Sequence, residues 1–194
     1  MTLNPRAAET IRVGRGEWYE SVLGRRIASG EDVVAPARFV LTLHPRSVLD
    51  AGCGTGHLSR FLAEAGVDVL GFDIDPEMLE PARLRAPQLN WLRADIATIK
   101  LDNAFDVVLV AGNVFNFVEP SRLRAAVLGM AAYVAPGGHL CASFSARGSL
   151  DLADYRARME EASFTERQLS SDWCGSQLIP GAADIVTVHQ RSPA

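Results

Sequence analysis

The sequence is poor in cysteine and has no long apolar run. Its 194 residues include three cysteines (Cys53, Cys141 and Cys174) with no C-x-x-C spacing, so neither a disulfide framework nor a metal site is predicted. The N-terminus lacks an apolar signal segment, and no stretch approaches the ~18 apolar residues of a membrane span. We therefore expect a cytoplasmic protein that does not enter a membrane.

The sequence also lacks an excess of positive charge. A formal net charge of -4 offers no broad field to attract nucleic acid, so no nucleic-acid partner is expected. We interpret the five arginines of the first 30 residues (Arg6, Arg12, Arg15, Arg25 and Arg26) as a solvated face. A chain of this length fits one domain that buries about 70% of its unfolded surface.

A glycine-rich stretch, S-V-L-D-A-G-C-G-T-G at residues 47–56, stands between a predicted strand and a predicted helix. Gly52, Gly54 and Gly56 alternate with other residues. Because glycine has no Cβ, main chain at such positions can adopt positive φ and approach a bound molecule closely. The helix predicted over 57–65 would point its first amides at the same place, which favours a negatively charged group.

Other glycine motifs fit this stretch less well. The dinucleotide pattern G-x-G-x-x-G has its last glycine where this chain has His57, and no lysine follows the glycines as in the phosphate-binding G-x-x-x-x-G-K-[ST] loop. A glycine-rich turn without a ligand is the remaining alternative. The spacing thus disfavours both a dinucleotide and a nucleoside triphosphate.

Two further predicted strands end in acids. The strand over 67–73 ends at Asp73, and the strand over 90–94 is followed by Asp95. Ligands of α/β sheets bind beyond the carboxyl ends of the strands, where a carboxylate can accept hydrogen bonds from ribose hydroxyls. We therefore assign Asp73 to a ligand and Asp75, which precedes a proline, to a helix N-cap. Pro81 is expected to bend or shorten the helix predicted over 77–85.

The alternation of strands and helices predicts the fold class. Strands over 105–111 and 139–144 flank a helix that begins near Glu119, and a helix over 152–162 precedes two final strands, 165–170 and 183–190. Helical patterns at 17–28 and 36–43 predict an N-terminal cap. The expectation is one domain, 1–194: a helical cap (1–46) and an α/β core (47–194) with a doubly wound, mostly parallel seven-stranded sheet and an antiparallel C-terminal edge strand.

Five stretches together resemble the motifs of the class I S-adenosylmethionine-dependent methyltransferases, which have a Rossmann-like fold. They are V-L-D-A-G-C-G-T-G, D-V-L-G-F-D-I-D-P-E-M-L, L-R-A-D-I, F-D-V-V and A-P-G-G-H-L, within about residues 46–190. The resemblance implies S-adenosylmethionine as cofactor and S-adenosylhomocysteine as product. It also implies that Asp73 binds the ribose, Asp95 the adenine amino group, and Ile74 and Ile96 the adenine faces. The implied cofactor-binding residues are Asp50, Ala51, Gly52, Cys53, Gly54, Gly56, Asp73, Ile74, Asp95, Ile96 and Asn113.

The methyl acceptor is expected to be a small molecule that is methylated on oxygen or nitrogen. The loop after the fourth strand lacks the Pro-Pro-aromatic sequence of enzymes that methylate exocyclic amines of bases, and no Pro-Cys pair exists. Candidate acceptor contacts are Tyr19, Phe115, Asn116, Phe117 and Trp173. No base is evident. His57 is interpreted either as a residue near the cofactor at the helix start or, in preference, as a helix-surface residue, and the other three histidines are interpreted as structural. A non-catalytic protein that binds S-adenosylmethionine and a nicotinamide-dependent dehydrogenase are the alternatives.

Overall fold

The computed structural model of the protein describes residues 14–179 and 181–193. Arg6 and Arg12 of the N-terminal arginine group lie outside these residues. The helices are α1 (Arg15–Ala28), α2 (Ala35–Leu41), α3 (His57–Glu64), α4 (Pro76–Arg85), α5 (Leu123–Ala132) and α6 (Leu152–Glu161). The strands are β1 (Ser47–Ala51), β2 (Asp68–Asp73), β3 (Asn90–Arg93), β4 (Phe105–Val110), β5 (Val134–Ser145), β6 (Phe164–Ser170) and β7 (Asp184–Arg191). Short 3₁₀ helices span Val114–Phe117 and Pro120–Arg122.

The strands form one seven-stranded sheet in the order β3-β2-β1-β4-β5-β7-β6. The first five are parallel to one another, and β7 is antiparallel to both β5 and β6. The predicted doubly wound, mostly parallel sheet is therefore confirmed. Its last strand in sequence, β7, lies inside the sheet, while β6 takes the edge.

Both faces of the sheet are covered. Adjacent residues of β1 face opposite layers: Val48 packs with α2 and α3, and Leu49 packs with α5 and α6. This two-sided burial explains why β1 and β4 are apolar runs rather than alternating patterns. The strand order reverses between β1 and β4, so a crevice opens beyond their carboxyl ends.

Helix α1 packs against α4 at an unusually close point. A Cβ on Gly16 would stand 2.2 Å from the carbonyl oxygen of Glu77 and 2.8 Å from Cγ of Pro81. Since Pro81 has no N–H to offer that carbonyl, α4 has a gap in its hydrogen bonding where Gly16 approaches. Helix α4 ends at Arg85, as the sequence predicts, and is not shortened at Pro81.

Ion pairs fix the same contact. Arg15 Nε lies 3.0 Å from Asp75 Oδ2, and Arg85 Nε lies 3.5 Å from Glu20 Oε2. These pairs set α1 above the carboxyl end of β2. Within the described ranges, no helix is both long and apolar enough to cross a membrane.

Candidate functional site

A cavity of about 1120 Å³ opens at the carboxyl edge of the parallel strands. Its wall combines the loops after β1, β2, β3 and β4 with residues of α1, the 31–36 segment and residues 171–173. Its volume slightly exceeds the usual range for small-molecule sites, about 300–1,000 Å³. The cavity therefore has room for a cofactor together with a second molecule.

The glycine loop is held by main-chain hydrogen bonds to β2. The N–H groups of Gly52 and Cys53 both donate to the carbonyl of Phe72, at 2.8 and 2.9 Å. Gly52 and Gly54 have φ of +74° and +55° and lie on the cavity wall. These two glycines satisfy the conformational requirement that the sequence predicted.

Two loop residues do not lie where they were expected. Gly56 lies off the cavity wall, and a Cβ on it would stand 2.4 Å from the ring of Trp91, so its missing side chain makes room for tryptophan. Ala51 is fully buried in the core beneath the loop. The predicted cofactor contacts of Gly56 and Ala51 are corrected accordingly.

Asp50 forms part of the cavity floor although it is only 2% exposed. Its Oδ2 accepts a hydrogen bond of 2.6 Å from the Ser59 hydroxyl. Burial raises the pKa of Asp50 to about 6; the Ser59 hydrogen bond opposes this shift and the charge of Asp73 adds to it. The floor of the cavity thus carries a buried acid whose ionisation a bound positive charge would favour.

The carboxylate of Asp73, at the end of β2, accepts hydrogen bonds from two main-chain N–H groups. Its Oδ1 accepts from the Asp75 N–H and its Oδ2 from the Gly54 N–H, both at 2.9 Å. Burial nonetheless raises the pKa of Asp73, against the effect of these two bonds. Asp75 caps α4 by accepting from the Glu77 N–H at 2.9 Å, so the predicted capping role of Asp75 is confirmed.

The opposite end of the cavity is lined by Ile74, Asp95, Ile96 and Asn113. Ile74 is 60% exposed beside the nearly buried Ile96. Asp95 accepts from the Ala97 N–H at 2.9 Å and pairs with Arg122 at 2.8 Å, and these contacts, the amide first, lower the pKa of its carboxyl. Sequence analysis missed Arg122, because no local pattern links it to an acid 27 positions earlier.

The candidate acceptor contacts divide into two groups. Tyr19, Phe117 and Trp173 lie on the cavity wall. Phe115 is fully buried against Tyr155 at a ring distance of 6.2 Å, and Asn116 Oδ1 accepts from the Ser145 N–H at 2.8 Å. Neither Phe115 nor Asn116 is on the cavity wall, because the 3₁₀ helix turns Phe115 into the core and the Asn116 side chain is hydrogen-bonded to β5.

His57 also lies on the cavity wall, which favours the alternative that places it near the cofactor at the helix start over a helix-surface position. It is the first residue of α3, and its ring lies 6.4 Å from that of Tyr19. Burial lowers the pKa of His57 to about 4, against the effect of Glu20, so the imidazole is neutral at neutral pH. Its Nδ1 is buried and has no hydrogen-bond partner among the described residues.

Cys53 is the one thiol on the cavity wall among the described residues. Burial raises the pKa of this thiol well above its usual value, with Asp50 and Asp73 adding to the effect. The thiol is therefore protonated and suited to packing rather than to nucleophilic attack. Over the same residues, no cluster of three or more His, Cys, Asp or Glu side chains is arranged to hold a metal ion.

This combination of fold and site defines a class of protein. A doubly wound sheet, a glycine loop after β1 and carboxylates at the ends of β1 and β2 converge on one cavity at the topological switch point. Such an arrangement is typical of Rossmann-like proteins that bind a ligand containing a nucleoside.

Comparison with known proteins identifies the family. Residues 48–138 match a methyltransferase domain model. The cypemycin N-terminal methyltransferase of a Streptomyces species is 30% identical over 180 residues, which cover 86% of this chain and 73% of that protein. A TehB-like S-adenosylmethionine-dependent methyltransferase from Corynebacterium glutamicum superposes with a TM-score of 0.84 at 25% identity, over 92% of this chain and 98% of that one. The chain belongs to the class I S-adenosylmethionine-dependent methyltransferases.

Other relatives match a shorter segment. An uncharacterised methyltransferase of Mycobacterium tuberculosis is 41% identical over 103 residues, which make up 53% of this chain and 41% of that protein. The chain thus spans about two fifths of the length of this relative.

Proposed function

We propose that the protein transfers the methyl group of S-adenosylmethionine to an oxygen or nitrogen atom of a small-molecule acceptor. The observation that carries this proposal is the shared cavity: the residues suited to the cofactor and an aromatic wall lie around one space of about 1120 Å³. The name of the Streptomyces relative, an N-terminal methyltransferase, supports nitrogen as one such acceptor atom.

The residues on the cavity wall fit this cofactor chemically. Each carboxylate oxygen of Asp73 accepts one main-chain hydrogen bond and keeps a lone pair for a ribose hydroxyl. Asp50, whose pKa of about 6 leaves it partly protonated in mildly acidic solution, would be ionised by the cofactor's ammonium group. Ile74 and Ile96 offer apolar surface to the adenine, and Asp95 offers an acceptor to its amino group.

The role of the protein in the reaction is mainly one of positioning. When bound, S-adenosylmethionine supplies a methyl group that is already activated by a sulfonium. Of the residues on the cavity wall, Gly52, Gly54 and Asp73 would hold the cofactor, and Tyr19, His57 and Trp173 would orient the acceptor. Well-oriented reactants reach effective molarities on the order of 10⁵ to 10⁸ M, so orientation alone supplies much of the required acceleration.

An acceptor screen separates an enzyme from a protein that only binds the cofactor. The full chain is incubated with S-adenosylmethionine and mixtures of small alcohols, phenols and amines, and the S-adenosylhomocysteine released is measured by mass spectrometry. We expect release that depends on one of the mixtures and that falls in an Asp73→Asn variant. Tight cofactor binding with no release from any mixture would favour a binding or regulatory protein.

A further inference from the structure

Carboxylates greatly outnumber guanidinium groups on the cavity wall. Among the described residues the wall includes nine carboxylates and three guanidinium groups. Each arginine is already paired with a carboxylate of the same wall: Arg15 with Asp75 at 3.0 Å, Arg26 with Glu31 at 2.8 Å, and Arg122 with Asp95 at 2.8 Å. The remaining carboxylates have no cationic partner on the wall; they are Asp32, Asp50, Asp73, Glu119, Asp172 and Asp184.

Three of these carboxylates come from segments other than β1, β2 and the loops after β1 to β4, to which the cofactor is assigned. Asp32, Asp172 and Asp184, together with Tyr19, His57 and Trp173, form what we call the acceptor end. Asp32 belongs to the segment before α2 and pairs with Arg38 at 3.3 Å, and Arg38 is not on the wall. Asp184 begins β7 beside the end of β5.

Asp172 is fixed in place by its own loop. Its Oδ1 accepts from the N–H groups of Cys174 and Ser176 at 2.9 and 3.0 Å. These contacts, led by Ser176, lower the pKa of its carboxyl and keep it ionised. A carboxylate that main-chain N–H groups hold in place and keep ionised is suited to attract a cation.

The other groups of the acceptor end suit a cation as well. Tyr19 and Trp173 present aromatic surface, which attracts ammonium groups, and the Trp173 ring is supported by Phe39 at 5.8 Å. His57 is neutral, so it adds no opposing positive charge, and its buried Nδ1 has no partner among the described residues. An anionic acceptor would meet like charges here, with no free guanidinium among the described wall residues to offset them.

We propose that the methyl acceptor is an amine, which the acceptor end recognises as a cation through Asp172 and Asp184 and its aromatic rings. This inference rests on the proposed function and narrows it from oxygen or nitrogen to nitrogen. It also excludes carboxylates and phosphate esters as preferred acceptors.

The chemistry of the transfer agrees with the charge of the wall. The ammonium first gives up a proton to solvent at the cavity mouth, and its nitrogen lone pair then forms the new N–C bond. The C–S bond breaks with its electron pair going to sulfur, so the positive charge moves from sulfur to nitrogen. Carboxylates around the acceptor nitrogen lie where this charge arrives, and fixed opposite charges at such a place stabilise the transition state.

The test uses the full chain saturated with S-adenosylhomocysteine and three probes of similar shape: benzylamine, benzyl alcohol and phenylacetate. Their affinities are measured by ligand-observed NMR, a binding readout that does not depend on turnover. We expect benzylamine to bind about tenfold more tightly than benzyl alcohol, since two carboxylates at roughly 6 Å in water contribute about that factor, and phenylacetate to bind weakest.

A pair of matched variants locates the effect. The double variant Asp172→Asn/Asp184→Asn should lose most of the preference for benzylamine. The double variant Asp68→Asn/Asp102→Asn removes the same charge from exposed positions away from the cavity. This variant should keep the preference for benzylamine. Equal affinity for amine and alcohol, tighter binding of phenylacetate, or equal losses in both variants would each overturn the assignment of an amine.

The two proposals fail in different ways. If S-adenosylhomocysteine binds but benzylamine is not preferred, only the proposal of an amine acceptor is contradicted. If S-adenosylhomocysteine does not bind, the proposed function is contradicted, and so is the proposal of an amine acceptor that rests on it.

Discussion

Asp73 has two roles that a substitution can test together. Its carboxylate accepts the N–H groups of Gly54 and Asp75, which shapes the loop, and its free lone pairs are assigned to the ribose. Asp73→Asn places an amide donor opposite one of these two N–H donors and removes the charge. We expect S-adenosylhomocysteine to bind roughly 5- to 150-fold more weakly by calorimetry, which corresponds to about 1–3 kcal/mol.

Asp68 provides the matched control for this variant. It is exposed at the other end of the same strand, β2, and lies off the cavity wall. Asp68→Asn should leave the affinity unchanged. Equal affinities of the Asp73→Asn variant and the unmodified protein would refute the ribose assignment.

Asp50 makes the stability of the ligand-free protein depend on pH. Because its folded pKa is about 6 and its ordinary value is 3.8, the folded state favours the protonated acid. The contribution of protonated Asp50 to the stability of the folded state is fully present below pH 3.8 and is lost as the pH rises through 6. A shift of this size in a fully buried group corresponds to about 3 kcal/mol.

The change in the free energy of unfolding that Asp50→Asn causes should therefore be more favourable at pH 8 than at pH 4. Urea denaturation at the two pH values measures the difference, which we expect to be about 1–3 kcal/mol. The same variant should bind S-adenosylmethionine more weakly, because the ammonium loses its counter-charge. A variant whose relative stability is the same at both pH values would show that Asp50 does not titrate in this range.

At the scale of single residues, the sequence predicted what local geometry determines. Gly52 and Gly54 need positive φ, and Asp75 lies before a proline at a helix start, so both assignments follow from neighbouring residues. The sequence left two alternatives open for both Phe115 and His57, because burial and cavity contact depend on packing against distant elements. Arg122 was missed for the same reason.

At the scale of elements, the contact between α1 and α4 places the aromatic residues of α1 over the cavity. Gly16→Ala would put a Cβ 2.2 Å from a main-chain carbonyl of α4, which cannot move aside without shifting the helix. We expect a loss of about 1–3 kcal/mol in the free energy of unfolding. Since α1 contributes Tyr19 to the cavity wall, acceptor binding should weaken as well.

Gly24→Ala on the same helix is the natural comparison. A Cβ at Gly24 meets nothing within 4 Å, so alanine should stabilise the helix by about 0.5–1 kcal/mol. Thermal unfolding of the two variants therefore separates close packing from helix propensity. Stabilisation by both substitutions would show that α1 does not pack closely on α4.

Element order was largely predictable, but the details of contact were not. Apolar runs that end in acids predicted the parallel strands, because such patterns reflect burial on both faces. The close packing of Pro81 against Gly16 joins residues that are 65 positions apart in the sequence. The placement of β7 between β5 and β6 likewise depends on pairing between distant strands.

At the scale of the whole molecule, the fold brings nine carboxylates of the described residues around one cavity, although the net charge of the chain is only -4. Composition alone does not reveal this concentration, because the residues come from segments spread between positions 31 and 184. A cofactor with one net positive charge and an ammonium acceptor would both be attracted to such a wall.

The most direct test of the central claim is titration calorimetry of the full chain with S-adenosylmethionine, S-adenosylhomocysteine and NAD in parallel. The site described above predicts micromolar binding of both sulfur compounds and none of NAD. Binding of NAD, or of none of the three, would contradict it.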